Sequence, residues 1–148
     1  MGRLLGIARA PTLRAALVEL NEVEVEEAEV EGSGGISGDA RGRKSGRQVT
    51  VLFREGWESA CRDLGVSLPW VTRRANLLVE GIATPREGGR LRIGDLVLEV
   101  TQETQPCHLM EAAHRGLKRA LTPEWRGGVC CRVLKRGKIR VGDHVDVS

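Results

Sequence analysis

The chain has 148 residues, a net charge of +3, 41% hydrophobic and 29% charged residues. That length and balance fit one globular domain with one real core; they exclude the basic, aromatic-studded stripe of a nucleic-acid binder. No apolar run reaches the roughly 18 residues that cross a bilayer.

Nineteen glycines against one phenylalanine and three tryptophans favour many turns and short strands over a helical bundle. In chain order, Leu4, Leu5 and Ile7 mark a first strand, with a turn over Ala8 to Pro11. From Leu17 to Val30, Val23 and Val25 alternate with Glu22, Glu24 and Glu26. Period two predicts a single strand with one wet face. Gly32 to Asp39 is glycine-rich but follows neither phosphate-loop order, so it reads as a loop. Arg41, Arg43, Lys44 and Arg47 follow it, a basic segment suited to an anion.

Gln48 to Phe53 is rich in β-branched residues and predicts a strand. Trp57, Ala60, Cys61 and Leu64 recur at helical spacing, so Glu55 to Leu64 is a helix, closed by Gly65. Asn76 to Val79, Leu91 to Ile93, Leu96 to Thr101 and Gly128 to Leu134 predict further strands. Met110, Ala113, Leu117 and Leu121 recur as on one helix face, placing Cys107 at a helix N-terminus. The free backbone N–H groups there favour a thiolate. Arg92-Ile93-Gly94-Asp95 is echoed by Arg140-Val141-Gly142-Asp143, read as two similar tight turns. Seven or eight short strands with two inserted helices favour a closed or half-closed β-barrel.

The stretch Thr72 to Cys107 carries the chemistry. Pairing of its two strand runs would bring Arg73, Arg74, Asn76 and Cys107 together at one end of a sheet. That sets a soft nucleophile or metal ligand beside anion-binding guanidinium groups. His108 is a candidate proton donor. Cys107, His108, His114 and Cys130 or Cys131 do not match common zinc spacing. Cys130 and Cys131 are adjacent, so on a strand they face opposite ways. The four cysteines lack a disulfide framework and no secretion signal is visible, so the expectation is a cytoplasmic chain with reduced thiols.

The segments R-Q-V-T-V-L, T-R-R-A-N-L-L-V-E-G-I, R-I-G-D-L-V-L-E-V-T, P-C, R-G-G-V-C-C-R-V-L and I-R-V-G-D resemble the MOSC domain found at the C-terminus of molybdenum cofactor sulfurases. The resemblance runs from about Gly6 to Val147 and treats residues 1–148 as one domain. It implies a mainly β fold with inserted helices, a MOSC-type β-barrel. It implies that Cys107 ligates molybdenum of a pterin cofactor, and that Arg74 and Asn76 help hold that cofactor. Arg73, Arg47 and Asp39 are placed with them. The implied activity is reduction of an N-hydroxylated small molecule with electrons from an external partner. Two alternatives stand beside it: a persulfide on Cys107 loaded by a cysteine desulfurase, and a cofactor carrier without chemistry. Pyridoxal phosphate is not expected, and neither a nucleic-acid nor a membrane partner is.

Overall fold

The period-two runs become strands, and seven of them close on one another. The structure is a computed structural model that describes residues 2–26, 34–41 and 47–148. The first half holds β1 (Gly2–Arg9), β2 (Val18–Leu20), β3 (Glu22–Glu26), β4 (Gly35–Ile36), β5 (Val49–Phe53), α1 (Arg54–Leu64) and β6 (Leu77–Glu80). The second half holds β7 (Arg90–Ile93), β8 (Leu96–Glu103), α2 (His108–Ala113), α3 (Leu117–Ala120), β9 (Val129–Lys135), β10 (Gly137–Arg140) and β11 (His144–Val147). Around the barrel the order is β1, β6, β5, β9, β8, β7, β11 and back to β1. The closing pairs are Gly2 with Val145 and Asp146 with Arg92. Closure leaves this sheet no long open edge.

One pair, β5 with β6, is parallel. A parallel pair needs a crossover, and α1 supplies it. Strand β5 shows how one sequence feeds two cores. Val49, Val51 and Phe53 point into the barrel, while Leu52 points out to Trp57, Ala60 and Cys61 of α1 and to Leu117 and Leu121. Gly65 ends α1 at φ 66°, the left-handed cap its sequence position predicts.

Several expectations shift. The single strand expected over Leu17 to Val30 is two strands in different sheets. β2 extends the edge of β1, and β3 joins β10 and β4 in a small second sheet. Val23 and Val25 are buried and their glutamate neighbours exposed, so the period was right and the continuity was not. Residues 27 to 33, with the start of the glycine-rich run, lie outside the described residues. The strand at the N-terminus runs through Ala8 to Arg9, displacing the expected turn. The single helix expected around Met110 to Leu121 is two short helices. Gly116 sits between them at φ 87°, a conformation that glycine adopts without strain. Met110, Leu117 and Leu121 are buried, as their spacing predicts, but Ala113 is exposed. The two Gly-Asp turns serve different connections: Gly94-Asp95 closes the β7–β8 hairpin, and Gly142-Asp143 leads from the small sheet into the barrel. No helix among the described residues is long and apolar enough to cross a membrane.

Candidate functional site

Strands β6 and β8 do not pair; β5 and β9 separate them. The residues at their ends nonetheless meet, because both strands belong to one barrel. The chain enters β6 through a 3₁₀ turn at Trp70–Arg73, then Arg74 at φ 64°. It leaves β8 through Thr104 to Pro106, and Cys107 precedes α2 in extended backbone. Cys107, Arg73, Arg74, Asn76, Arg47 and Arg41 all line one cavity of about 320 Å³. No aspartate or glutamate is among its described lining residues.

Arg73 is the fixed point. It is only 7% exposed. Its Nε donates to Gly127 O at 3.0 Å and its Nη2 to Thr104 O at 2.8 Å. Nη1 has no hydrogen-bond partner among the described residues. Burial pushes this guanidinium below its ordinary range, and the Cys107 sulfur is the largest influence holding it up. Cys107 and Arg73 are therefore electrostatic neighbours.

Arg74 is bent into the left-handed region, which costs a non-glycine residue about 1–2 kcal/mol. Two contacts hold it there. Its carbonyl accepts a hydrogen bond from Arg41 Nη1, and its own Nη2 donates to Ala15 O at 3.0 Å. Partial burial, then the charge of Arg41, lower its pKa. Arg41 in turn donates from Nε to Asp39 Oδ1 at 3.1 Å, and that same oxygen accepts from the backbone N–H of Ala10. Asp39 Oδ2 and Arg41 Nη2 are buried and have no hydrogen-bond partner among the described residues.

Asn76 is 3% exposed. Its amide oxygen accepts from Thr50 N at 3.0 Å, and its Nδ2 donates to Ala8 O at 3.2 Å. It clamps β1, β5 and β6 at the cavity floor. Behind the cavity, Thr104 Oγ1 lies 3.3 Å from Cys130 Sγ. Cys131 faces the other way into the barrel, where burial drives its thiol pKa far up. The opposite-face expectation for these two cysteines holds.

The family model for the MOSC domain matches residues 38–146. The chain belongs to the MOSC domain family. The YuaD protein of Bacillus subtilis is similar in fold at a TM-score of 0.81 and 18% identity, covering 99% of this chain and 96% of that one. YiiM of Geobacillus stearothermophilus aligns at 0.74 and 17%, covering 100% and 75%. YiiM of Escherichia coli aligns at 0.69 and 16%, covering 99% and 69%. At these identities the likeness is one of fold. No curated protein matches.

Of the residues singled out in sequence, the MOSC barrel brings Cys107, Arg73, Arg74, Asn76 and Arg47 to one cavity. Asp39 lies under Arg41 rather than in the lining, and exposed His108 is outside it. Arg43 and Lys44 lie outside the described residues. Arg41 had a signal, its place in the basic segment. Thr104 and Gly127 had none, since they act through backbone carbonyls. Leu13 and Leu109 line the cavity while 69% and 53% exposed. Isolated leucines in loops and short helices carry no periodicity to flag them. The dipole expected to act on Cys107 is small, because α2 has six residues. Among the described residues no cluster of three His, Cys, Asp or Glu side chains could hold a metal.

Proposed function

We propose that this MOSC chain binds a molybdenum cofactor of the molybdopterin type and reduces N-hydroxylated small molecules. One observation carries the reading: Cys107 shares with four arginines a cavity that has no acid among its described lining residues. The donor set suits the group. A thiolate suits a thiophilic metal, and arginine forks suit a pterin phosphate. The volume falls within the range of about 300–1,000 Å³ usual for small-molecule sites.

Cys107 would hold the metal. Arg47 and Arg74 would bind phosphate oxygens, with Arg41 and the Asp39 beneath it fixing Arg74. Arg73, locked by two carbonyls, keeps its charge beside the sulfur. Asn76 holds the floor rigid. The chemistry such a group supplies when bound is two-electron transfer to the substrate. Leu13 and Leu109 give the cavity apolar surface that sheds water and receives the body of the substrate. His108, exposed and adjacent to Cys107, would return a proton at the mouth. A partner protein would supply electrons, and the four free cysteines fit a reducing cytoplasm.

Metal and pterin analysis tests this on protein from a host that makes the cofactor. Near-stoichiometric molybdenum is expected, and Cys107→Ser should abolish it. Equal molybdenum in both proteins would overturn the reading. A second reading, sulfur carriage on Cys107, is favoured by its partial exposure, which allows a donor to reach it.

A further inference from the structure

Sulfur carriage leaves the donor open, and the cavity bears on it. A protein persulfide must be presented on a loop that enters the site. Cys107 is partly exposed, and Arg73, Arg41, Arg47 and Arg74 line the same cavity. Such a site repels cations and concentrates small anions. Two guanidinium groups also carry unused donors. Arg73 Nη1 lacks a hydrogen-bond partner among the described residues although the residue is 93% buried by its 7% exposure. Arg41 Nη2 is buried with no hydrogen-bond partner among the described residues. A compact oxyanion with several acceptor oxygens would satisfy the accessible one and neutralise the cluster.

We propose that the metal-free chain takes sulfane sulfur directly from a small dianion of the thiosulfate type, with Cys107 as nucleophile and the cavity arginines holding the sulfonate oxygens. The Cys107 thiolate attacks the outer sulfur. A new S–S bond forms at Cys107 as the S–S bond of thiosulfate breaks. The bonding pair leaves with sulfite, and the outer sulfur stays on the enzyme as a persulfide. No external oxidant or reductant enters, because the sulfane sulfur carries its own oxidation level. The persulfide then passes that sulfur to an acceptor thiol, or to cyanide as thiocyanate. This inference rests on the carrier reading and is independent of the metal reading.

The test uses the full chain from a host that does not make molybdenum cofactor. It is incubated with thiosulfate alone and, separately, with a cysteine desulfurase and cysteine. Intact-mass and peptide analysis then locate any added sulfur. Thiosulfate should load one sulfur on Cys107, release sulfite in equal amount, and yield thiocyanate with cyanide. Cys107→Ser should show none of these. Arg47 is exposed, so Arg47→Gln should fold. It should slow loading by thiosulfate about tenfold relative to alkylation of Cys107 by neutral iodoacetamide, the size of one lost charge-assisted hydrogen bond. Added salt should depress the thiosulfate reaction alone. Loading by the desulfurase but not by thiosulfate would overturn this donor and leave the carrier reading intact. Loading by neither would overturn both. Parallel slowing of thiosulfate and iodoacetamide in Arg47→Gln would overturn the anion-holding role.

Discussion

Basic side chains appear in two settings in this MOSC chain, and the contrast explains which of them matter. In the small sheet, β10 runs beside β3, and its cations face the glutamate row. Arg140 pairs with Glu22 at 3.0 Å, Lys138 with Glu22 at 3.5 Å and Arg136 with Glu26 at 3.6 Å. These groups are wet; Arg140 and Glu22 are 65% and 50% exposed. At the barrel mouth, Arg73 is buried, has no carboxylate ion pair among the described residues, and spends two of its nitrogens on backbone carbonyls. The ribbon pairs its cations with carboxylates, whereas of the cavity arginines Arg41 alone has an ion pair among the described residues, with Asp39. Exposed pairs are worth about 0–1 kcal/mol. A buried guanidinium that organises two loops is worth several times that.

Four perturbations probe this difference. Arg73→Ala should be the most damaging, because it strands the carbonyls of Gly127 and Thr104 in a buried setting. A loss of about 3 kcal/mol is expected in urea unfolding; a loss near that of a surface site would erase the contrast. Gly127→Ala attacks the same lock without touching the charge. A Cβ there would lie 2.7 Å from Thr104 O and 3.1 Å from Arg73 Nη2. About 2 kcal/mol should be lost, with weaker retention of an anionic dye in the cavity.

The third extends the comparison to sulfur. Cys107 is half-buried among cations, while Cys131 is sealed in the barrel core. Burial raises the Cys131 thiol above its ordinary value of 9.0. The unfolded chain ionises there at the ordinary value and the folded chain does not. Its contribution is therefore complete below about pH 9 and is lost as pH rises toward the folded value. One such group tilts stability by at most about 1.4 kcal/mol per pH unit. Unfolding of Cys131→Ala between about pH 8 and 10 should show a slope shallower than the parent by up to that amount; identical slopes would place the thiol in a wetter site. The smallest effect belongs to the ribbon. Arg140→Ala should change stability by no more than about 0.5 kcal/mol, and added salt should shrink even that.

Much of this architecture was readable from residue order. The β5 run, the α1 face with its Gly65 stop, the wet glutamate row and the strand-rich count all stem from local periodicity. Periodicity is a property of neighbours in sequence, so it survives without the rest of the molecule. The breaks were harder to read. Gly116 divides α2 from α3 while the hydrophobic spacing continues across it, and Asn21 divides β2 from β3 with a slip of only one residue in the alternation, from Val18 and Leu20 to Val23 and Val25. The site was legible as a set of residues but not as a route. Pairing of β6 with β8 was the expected reason for Arg73 and Cys107 to meet, and two other strands, β5 and β9, stand between them in the barrel.

From sequence alone came the residue types: one thiol after a proline, two adjacent arginines, an asparagine, and a basic segment upstream. Which of them share a cavity was decided by closure of seven strands, a long-range event that no local window contains. Closure also selected Gly127 and Thr104, whose backbone carbonyls have no signature in a side-chain code. Their oxygens hold Arg73 because the ring of strands carries two distant loops to the same rim.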